Sequence, residues 1–408
     1  MPKPRSQVPR RPRLNRDSQQ WIFDYLVKET GQVYHWWADG DASLPKGVRS
    51  HAMISKHVGR QAQRVEALAE AELAAGHRRT ALDLYFNAAR QYMRAQHPIF
   101  ERNDEKHFLY DGLRRCYEQV RRLSAYPIER IDSTWNGQSF SGYLHVAPEL
   151  GRAPLLFYIP GSDVTCESSP DPSTNLAHQR GMHVFSFDGP GQGSSNMRGN
   201  RLTADNYERA ASAALDSLLE RPEVDPDRVV VYGGGMGGFW AMRFAAHDRR
   251  IRAAATKSSY ADKYYVLNED SPRYKQLFAF LTQAATEAEL DEVMAAMTLD
   301  EHVGRIACPT LMVTGEYDHR DPIEEVFRLF DGIAAPAELW VFADQFHRSR
   351  LPGGGDTVYC IMLDWLVDRL EGRPMLHSGD VLYLEPGNAG PNSPTVAHKR
   401  RWFEAAPG

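Results

Sequence analysis

The sequence predicts an α/β fold: a mainly parallel sheet with helices on both faces, a helical N-terminal domain before it and a helical lid inserted into it. Three observations carry that prediction. Apolar runs at 155–160, 183–187, 229–233, 251–256, 310–314 and 338–342 are continuous rather than alternating, which is how strands buried on both faces read. Helical stretches at 172–180, 203–220, 237–247, 322–331 and 356–371 separate them, and strands joined through helices lie parallel. Before residue 126, helical periodicity dominates instead.

The elements follow in order. Residues 1–16 carry Lys3, Arg5, Arg10, Arg11, Arg13 and Arg16 among four prolines, the composition of a disordered basic arm. Residues 17–125 form the helical domain. Asp17-Ser18 can cap a first helix, the stretch 52–75 is rich in Ala, Glu and Leu, Gly76 stops it, and 80–95 begins another helix with Ala81, Leu84, Tyr85, Ala88 and Tyr92 on one face. That pair resembles a tetratricopeptide-type hairpin in a single copy, so no repeat array is expected. From about 126 the period changes to two, with Ile128 and Ile131, then Phe140, Gly142, Leu144 and Val146, suggesting a hairpin. The core runs from 126 to 372, with a helix-rich lid at about 259–305. The Pro- and Gly-rich tail, 373–408, reads as an extended strap.

Composition narrows the partners. A chain of 408 residues has room for a large core plus a helical module, and 42% hydrophobic with 25% charged residues is ordinary for a soluble protein. A net charge of −5 gives no reason to expect nucleic acid. No apolar run approaches the roughly 20 residues of a membrane span, and no signal-peptide core is present. Cys116, Cys166, Cys308 and Cys360 are scattered without metal spacing and read as reduced thiols of a cytoplasmic protein. No metal, nucleotide or flavin motif appears, so no cofactor is expected. The glycines at 233–238 are not a phosphate loop, because no Lys-Ser or Lys-Thr follows them.

The chemistry concentrates at Val229-Val230-Val231-Tyr232-Gly233-Gly234-Gly235-Met236-Gly237-Gly238. A buried strand running through G-x-S-x-G into a helix is a nucleophile elbow, whose sharp turn exposes the serine oxygen. Here the flanking glycines are Gly233 and Gly237, and the serine position is Gly235. Downstream, the strand at 310–314 leads to Gly315-Glu316-Tyr317-Asp318, the setting of an acid that orients a histidine, with Asp321 as its rival. The strand at 338–342 leads to His347 in a short loop. Elbow, acid, histidine is the chain order of the α/β-hydrolase fold. The run 155–159 ends in Pro160-Gly161-Ser162-Asp163, where a second oxyanion N–H belongs, and 184–187 runs into Asp188-Gly189-Pro190-Gly191-Gln192-Gly193.

On these marks, residues from about 50 to 372 resemble the α/β-hydrolase group of the fermentation-respiration switch protein, 2,6-dihydroxypseudooxynicotine hydrolase and the fungal hydrolases that shorten polyketide pigment precursors. The resemblance implies a serine hydrolase, in several members one that cleaves a carbon–carbon bond next to a ketone. It also implies a homodimer, since helical domains in this group often pair subunits. The chain departs from the group at the serine itself.

Glycine takes the strained elbow conformation freely and removes the oxygen. Three readings stay open: a serine hydrolase altered at one position, a glycine enzyme in which His347 aligned by Asp318 activates water directly, and a scaffold that only binds. The expected roles are Asp318 as orienting acid, His347 as proton shuttle, and the backbone N–H groups of Met236 and Ser162 as oxyanion donors. Cys166, near that loop, reads as a packed thiol rather than a substitute nucleophile. Lys257 and Ser258 end a strand at the elbow's edge and either touch substrate or face solvent. Tyr260 and Tyr264 in the lid either line a pocket for a flat carbonyl compound or pack the lid, and Trp36 either closes that pocket or fills the domain contact.

Overall fold

The structure, a computed structural model, describes residues 47–48, 50, 53–269, 272–347 and 357–384. The basic arm, the helix expected from residue 17, Trp36 and the tail after 384 lie outside the described residues. Among those described, no helix is long and apolar enough to cross a membrane.

Three helices come first: α1 (Ile54–Ala74), α2 (Arg78–Gln96) and α3 (Asp104–Leu123). They share one core in which Ala62, Ala81, Tyr92 and Tyr117 are fully enclosed. Glu66 of α1 is buried there and accepts hydrogen bonds from Tyr92 (2.6 Å) and from the Arg115 guanidinium (2.7 and 2.9 Å), tying the three helices together.

The period-two segment is a hairpin, β1 (Ile128–Trp135) and β2 (Gln138–His145), turning at Asn136-Gly137. Then come β3 (Ala153–Ile159), β4 (His183–Asp188), the short α4 (Gly193–Met197), α5 (Asn206–Leu219), β5 (Val224–Gly234), α6 (Met236–His247) and β6 (Ile251–Lys257). The lid contributes α7 (Lys263–Glu269), α8 (Pro272–Thr282) and α9 (Glu287–Ala296). Finally come β7 (Thr310–Gly315), α10 (Ile323–Asp331), β8 (Ala337–Phe342), α11 (Thr357–Leu370) and β9 (Val381–Leu384).

The nine strands form one sheet in the order β1-β2-β4-β3-β5-β6-β7-β8-β9, parallel from β4 to β9 and antiparallel at the β1-β2-β4 edge. Its two faces are both covered. Leu155, Phe157 and Ile159 of β3 join a core with α5, α6 and the lid, while Leu156 joins a second core with α11. Alternate residues of one continuous apolar run therefore serve opposite layers.

Two expectations are corrected. The helix at 172–180 is only a single 3-10 turn, His178–Arg180. Pro170 and Pro172 cannot donate to a helix, and the Asn175 side chain accepts from the His178 N–H instead. The tail is not simply a strap: Val381–Leu384 pairs with β8 as the ninth strand. Its four residues are a short continuous apolar run, set apart from the core strands by the Pro- and Gly-rich stretch, and the open edge of β8 supplies their partners.

Candidate active site

The carboxyl ends of β3, β5, β6, β7 and β8 meet at one rim of the sheet, where ligands bind in open parallel sheets. At its centre β5 ends at Gly234, Gly235 stands at φ 57°, ψ −134°, and α6 starts at Met236. That backbone conformation is one L-residues rarely hold without strain. It is pinned from both sides, because the Gly235 N–H donates to the Lys257 carbonyl (2.8 Å) and the Gly235 carbonyl accepts from Gly238 (2.8 Å). Close approach explains the flanking glycine: a Cβ at Gly237 would sit 2.2 Å from the Ile159 carbonyl oxygen and 2.8 Å from that of Pro160.

The acid and the histidine arrive from β7 and β8. His347 Nδ1 lies 2.7 Å from Asp318 Oδ2, with the carboxylate fully enclosed and the imidazole about one-fifth exposed. Burial pushes the Asp318 carboxyl up, but the neighbouring His347 and the Arg320 N–H (3.0 Å) outweigh it and hold the group down at about 2. With Nδ1–H committed to the carboxylate, Nε2 turns to the elbow: a Cβ built at Gly235 would lie 3.7 Å from it. An oxygen one bond further out falls within hydrogen-bond reach. Three segments separated by tens of residues thus converge on the glycine.

Met236 is the first residue of α6, so its N–H has no partner inside the helix. The loop after β3 presses against the elbow, the space beside Gly161 being closed by the Gly234 carbonyl at 3.3 Å from a built Cβ. Ser162 follows, half-buried, and lines a narrow cavity of about 30 Å³ with Asp163, Gln192, Lys106 and Phe280. Sequence reading missed what holds this loop. Gln192 is 2% exposed and donates its amide to the carbonyls of Pro160 (3.0 Å) and Gly161 (2.9 Å), while its oxygen accepts from Tyr207 (2.5 Å). Gln192 sits in the Asp188–Gly193 turn that the sequence marks, but its role does not show there, since these partners lie about 30 residues upstream and 15 downstream.

The remaining candidates divide. Lys257 meets the site through its carbonyl, which takes the elbow N–H. Ser258 is buried, and its hydroxyl donates to the His347 carbonyl at 3.4 Å. Tyr260 is not presented to a ligand. It is fully buried, and its hydroxyl donates to the Thr256 carbonyl (2.7 Å) and accepts from the Val313 N–H (3.0 Å), so it bolts β6 to β7. Tyr264 is half-buried on α7, and its N–H donates to the Asp262 carboxylate at 2.8 Å. The rival acid Asp321 is committed to the backbone N–H groups of Ser259 and Ala261 (2.8 Å to the latter). Cys166 is buried, and burial drives its thiol far above the usual range, against a nucleophile's needs.

A mostly parallel sheet with a glycine-flanked turn after β5, an acid after β7 and a histidine after β8 defines an α/β-hydrolase. The chain belongs to the prolyl oligopeptidase family, which matches residues 170–373. It is 30% identical over 317 residues to the 2,6-dihydropseudooxynicotine hydrolase of Paenarthrobacter nicotinovorans, covering 76% of this chain and 82% of that one. A solved 2,6-dihydroxy-pseudo-oxynicotine hydrolase superposes with a TM-score of 0.70 at 27% identity, over 81% of this chain and 92% of the other. The α/β-hydrolase xenA of Xenoacremonium sinensis is 28% identical over 208 residues, and the match spans about half of each chain (48% and 48%). These relatives carry hydrolase names.

Proposed function

We propose that the chain is a cofactor-free hydrolase-type enzyme acting on a small carbonyl compound, aromatic or polyketide-like, by cleaving an ester, an amide or a C–C bond next to a ketone. The observation that carries this reading is the aim of His347 Nε2, 3.7 Å from where a side chain at Gly235 would begin. Asp318 keeps the imidazole oriented and stabilises its protonated form. Glycine in place of a serine leaves room on the order of the ~30 Å³ of one water. His347 takes a proton from that water as it attacks the carbonyl carbon, and the oxygen that becomes charged is received by the N–H groups of Met236 and Ser162. The imidazolium then returns the proton to the leaving group. The same geometry serves a serine at position 235, so the glycine marks either a direct-water variant or a serine hydrolase with its nucleophile substituted.

A panel of aryl esters, aryl amides and aryl 1,3-diketones, assayed with the glycine protein and with Gly235→Ser, tests the reading. Turnover by the glycine form that His347→Ala abolishes establishes the direct-water route. Turnover only with serine establishes a substituted serine hydrolase. The missing hydroxyl also favours a second reading, a non-catalytic binding protein on this scaffold, and silence of both forms across the panel would support it.

A further inference from the structure

Beside the site, two residues that follow β6 hold backbone conformations seldom seen outside glycine: Ser258 at φ 63° and Ser259 at φ 66°. Both are buried. Consecutive non-glycine residues in this region stay there only when their surroundings over-determine them, and such places cluster at functional sites. Here the surroundings can be named. Lys263, wholly buried on α7, donates its Nζ to the Ser259 carbonyl at 2.7 Å. Asp321, wholly buried before α10, accepts from the N–H of Ser259 and, at 2.8 Å, from that of Ala261. The Ser258 N–H donates to the Val313 carbonyl of β7 at 2.8 Å.

What hangs on this turn is the site itself. The residue before it, Lys257, supplies the carbonyl that fixes the Gly235 N–H, and the Ser258 hydroxyl reaches the His347 carbonyl. The Ser258 carbonyl also backs the start of α6, lying 2.7 Å from a Cβ built at Gly238. We infer that Lys263 and Asp321 are positioning residues: an ammonium and a carboxylate that grip the Ser259 peptide groups from opposite sides and, through the turn at Ser258 and Ser259, set Gly235 and His347 in register. Opposite charges suit this task. Both are out of water, each reduces the cost of burying the other, and a charged group holds a backbone partner more firmly than a neutral one. The Lys263 ammonium also lies over the Phe239 ring of α6 at 4.8 Å, which adds to its fixed position.

This inference rests on reading Asp318 and His347 as the working pair, but its test does not need turnover. The proton shared by His347 Nδ1 and Asp318 gives a far-downfield proton NMR resonance whose position reports their geometry. Lys263→Met and Asp321→Asn are expected to shift or abolish that resonance, whereas Glu66→Gln, which disturbs the Glu66–Arg115 ion pair of the helical domain, is expected to leave it in place. A folded Lys263→Met protein with the resonance unmoved overturns the inference. Should the single variant fail to fold, adding Ser259→Gly, which adopts the positive φ without a grip, must restore both folding and the resonance, and failure of that rescue overturns the inference equally. A wild-type protein with the resonance but no activity on any carbonyl substrate sinks the proposed function alone. A wild-type protein without it overturns the pairing on which both rest.

Discussion

Lys257 and Gly235 are joined by a backbone hydrogen bond of 2.8 Å, in which the last carbonyl of β6 takes the N–H of the elbow. Main-chain atoms therefore hold the turn, and its shape does not depend on which side chain position 235 carries. A serine placed there inherits a conformation already built and an imidazole already aimed.

Gly235→Ser is accordingly expected to raise aryl-ester turnover by roughly 10³-fold or more, within the ~10⁶ that a triad nucleophile contributes. A β-carbon at φ 57° costs about 1–3 kcal/mol, so the variant is expected to be less stable than the parent by that amount. Steady-state kinetics and urea unfolding measure the two effects. A serine form as inert as the glycine form contradicts the expectation.

Asp318 links stability to pH. Its carboxyl titrates at about 2 in the folded protein against an ordinary 3.8. A depressed value means that the ionised form favours the fold, so this contribution, about 2 kcal/mol, is complete above about pH 4 and is lost as pH falls through about 2. Asp318→Asn is expected to be less stable than the parent at neutral pH and to converge with it in acid. In the serine background the same change is expected to lower kcat by about 10⁴, through loss of the imidazole's orientation.

Gln192→Leu is expected to lower stability by about 2–4 kcal/mol, because the Pro160 and Gly161 carbonyls and the Tyr207 hydroxyl lose a buried partner together. In Gly235→Ser protein it is also expected to lower kcat with little change in KM, since the loop it holds carries the Ser162 N–H. Unchanged kcat would separate Gln192 from the site.

Tyr260→Phe separates packing from recognition. It leaves the Val313 N–H without its acceptor and is expected to cost about 1–3 kcal/mol in thermal or urea unfolding while KM stays unchanged. A KM that rises while stability holds would return Tyr260 to the substrate.

Gly237→Ala tests the packing of elbow against loop. Its methyl would meet two carbonyl oxygens of fixed backbone, at 2.2 and 2.8 Å, and a loss of about 3 kcal/mol or more is expected, with failure to fold at the upper end.

Sequence alone determined the α/β layering, the elbow at Gly235 and the order of elbow, acid and histidine, because each rests on local signals. Continuous apolar runs mark doubly covered strands, and glycines, an acid and a histidine after successive strands sit where topology must bring them to one rim. Only the tertiary structure decided between Asp318 and Asp321, three residues apart and alike in context: one carboxylate faces His347, the other the backbone at Ser259. It likewise buried Tyr260 between β6 and β7, added Val381–Leu384 to the sheet, and brought Gln192, Lys263 and Asp321 to their backbone partners. Those residues act on backbone groups brought near by folding, most of them far away in the chain. A buried polar side chain finds its partner through the packing of elements, and no pattern of neighbouring residues records that partner.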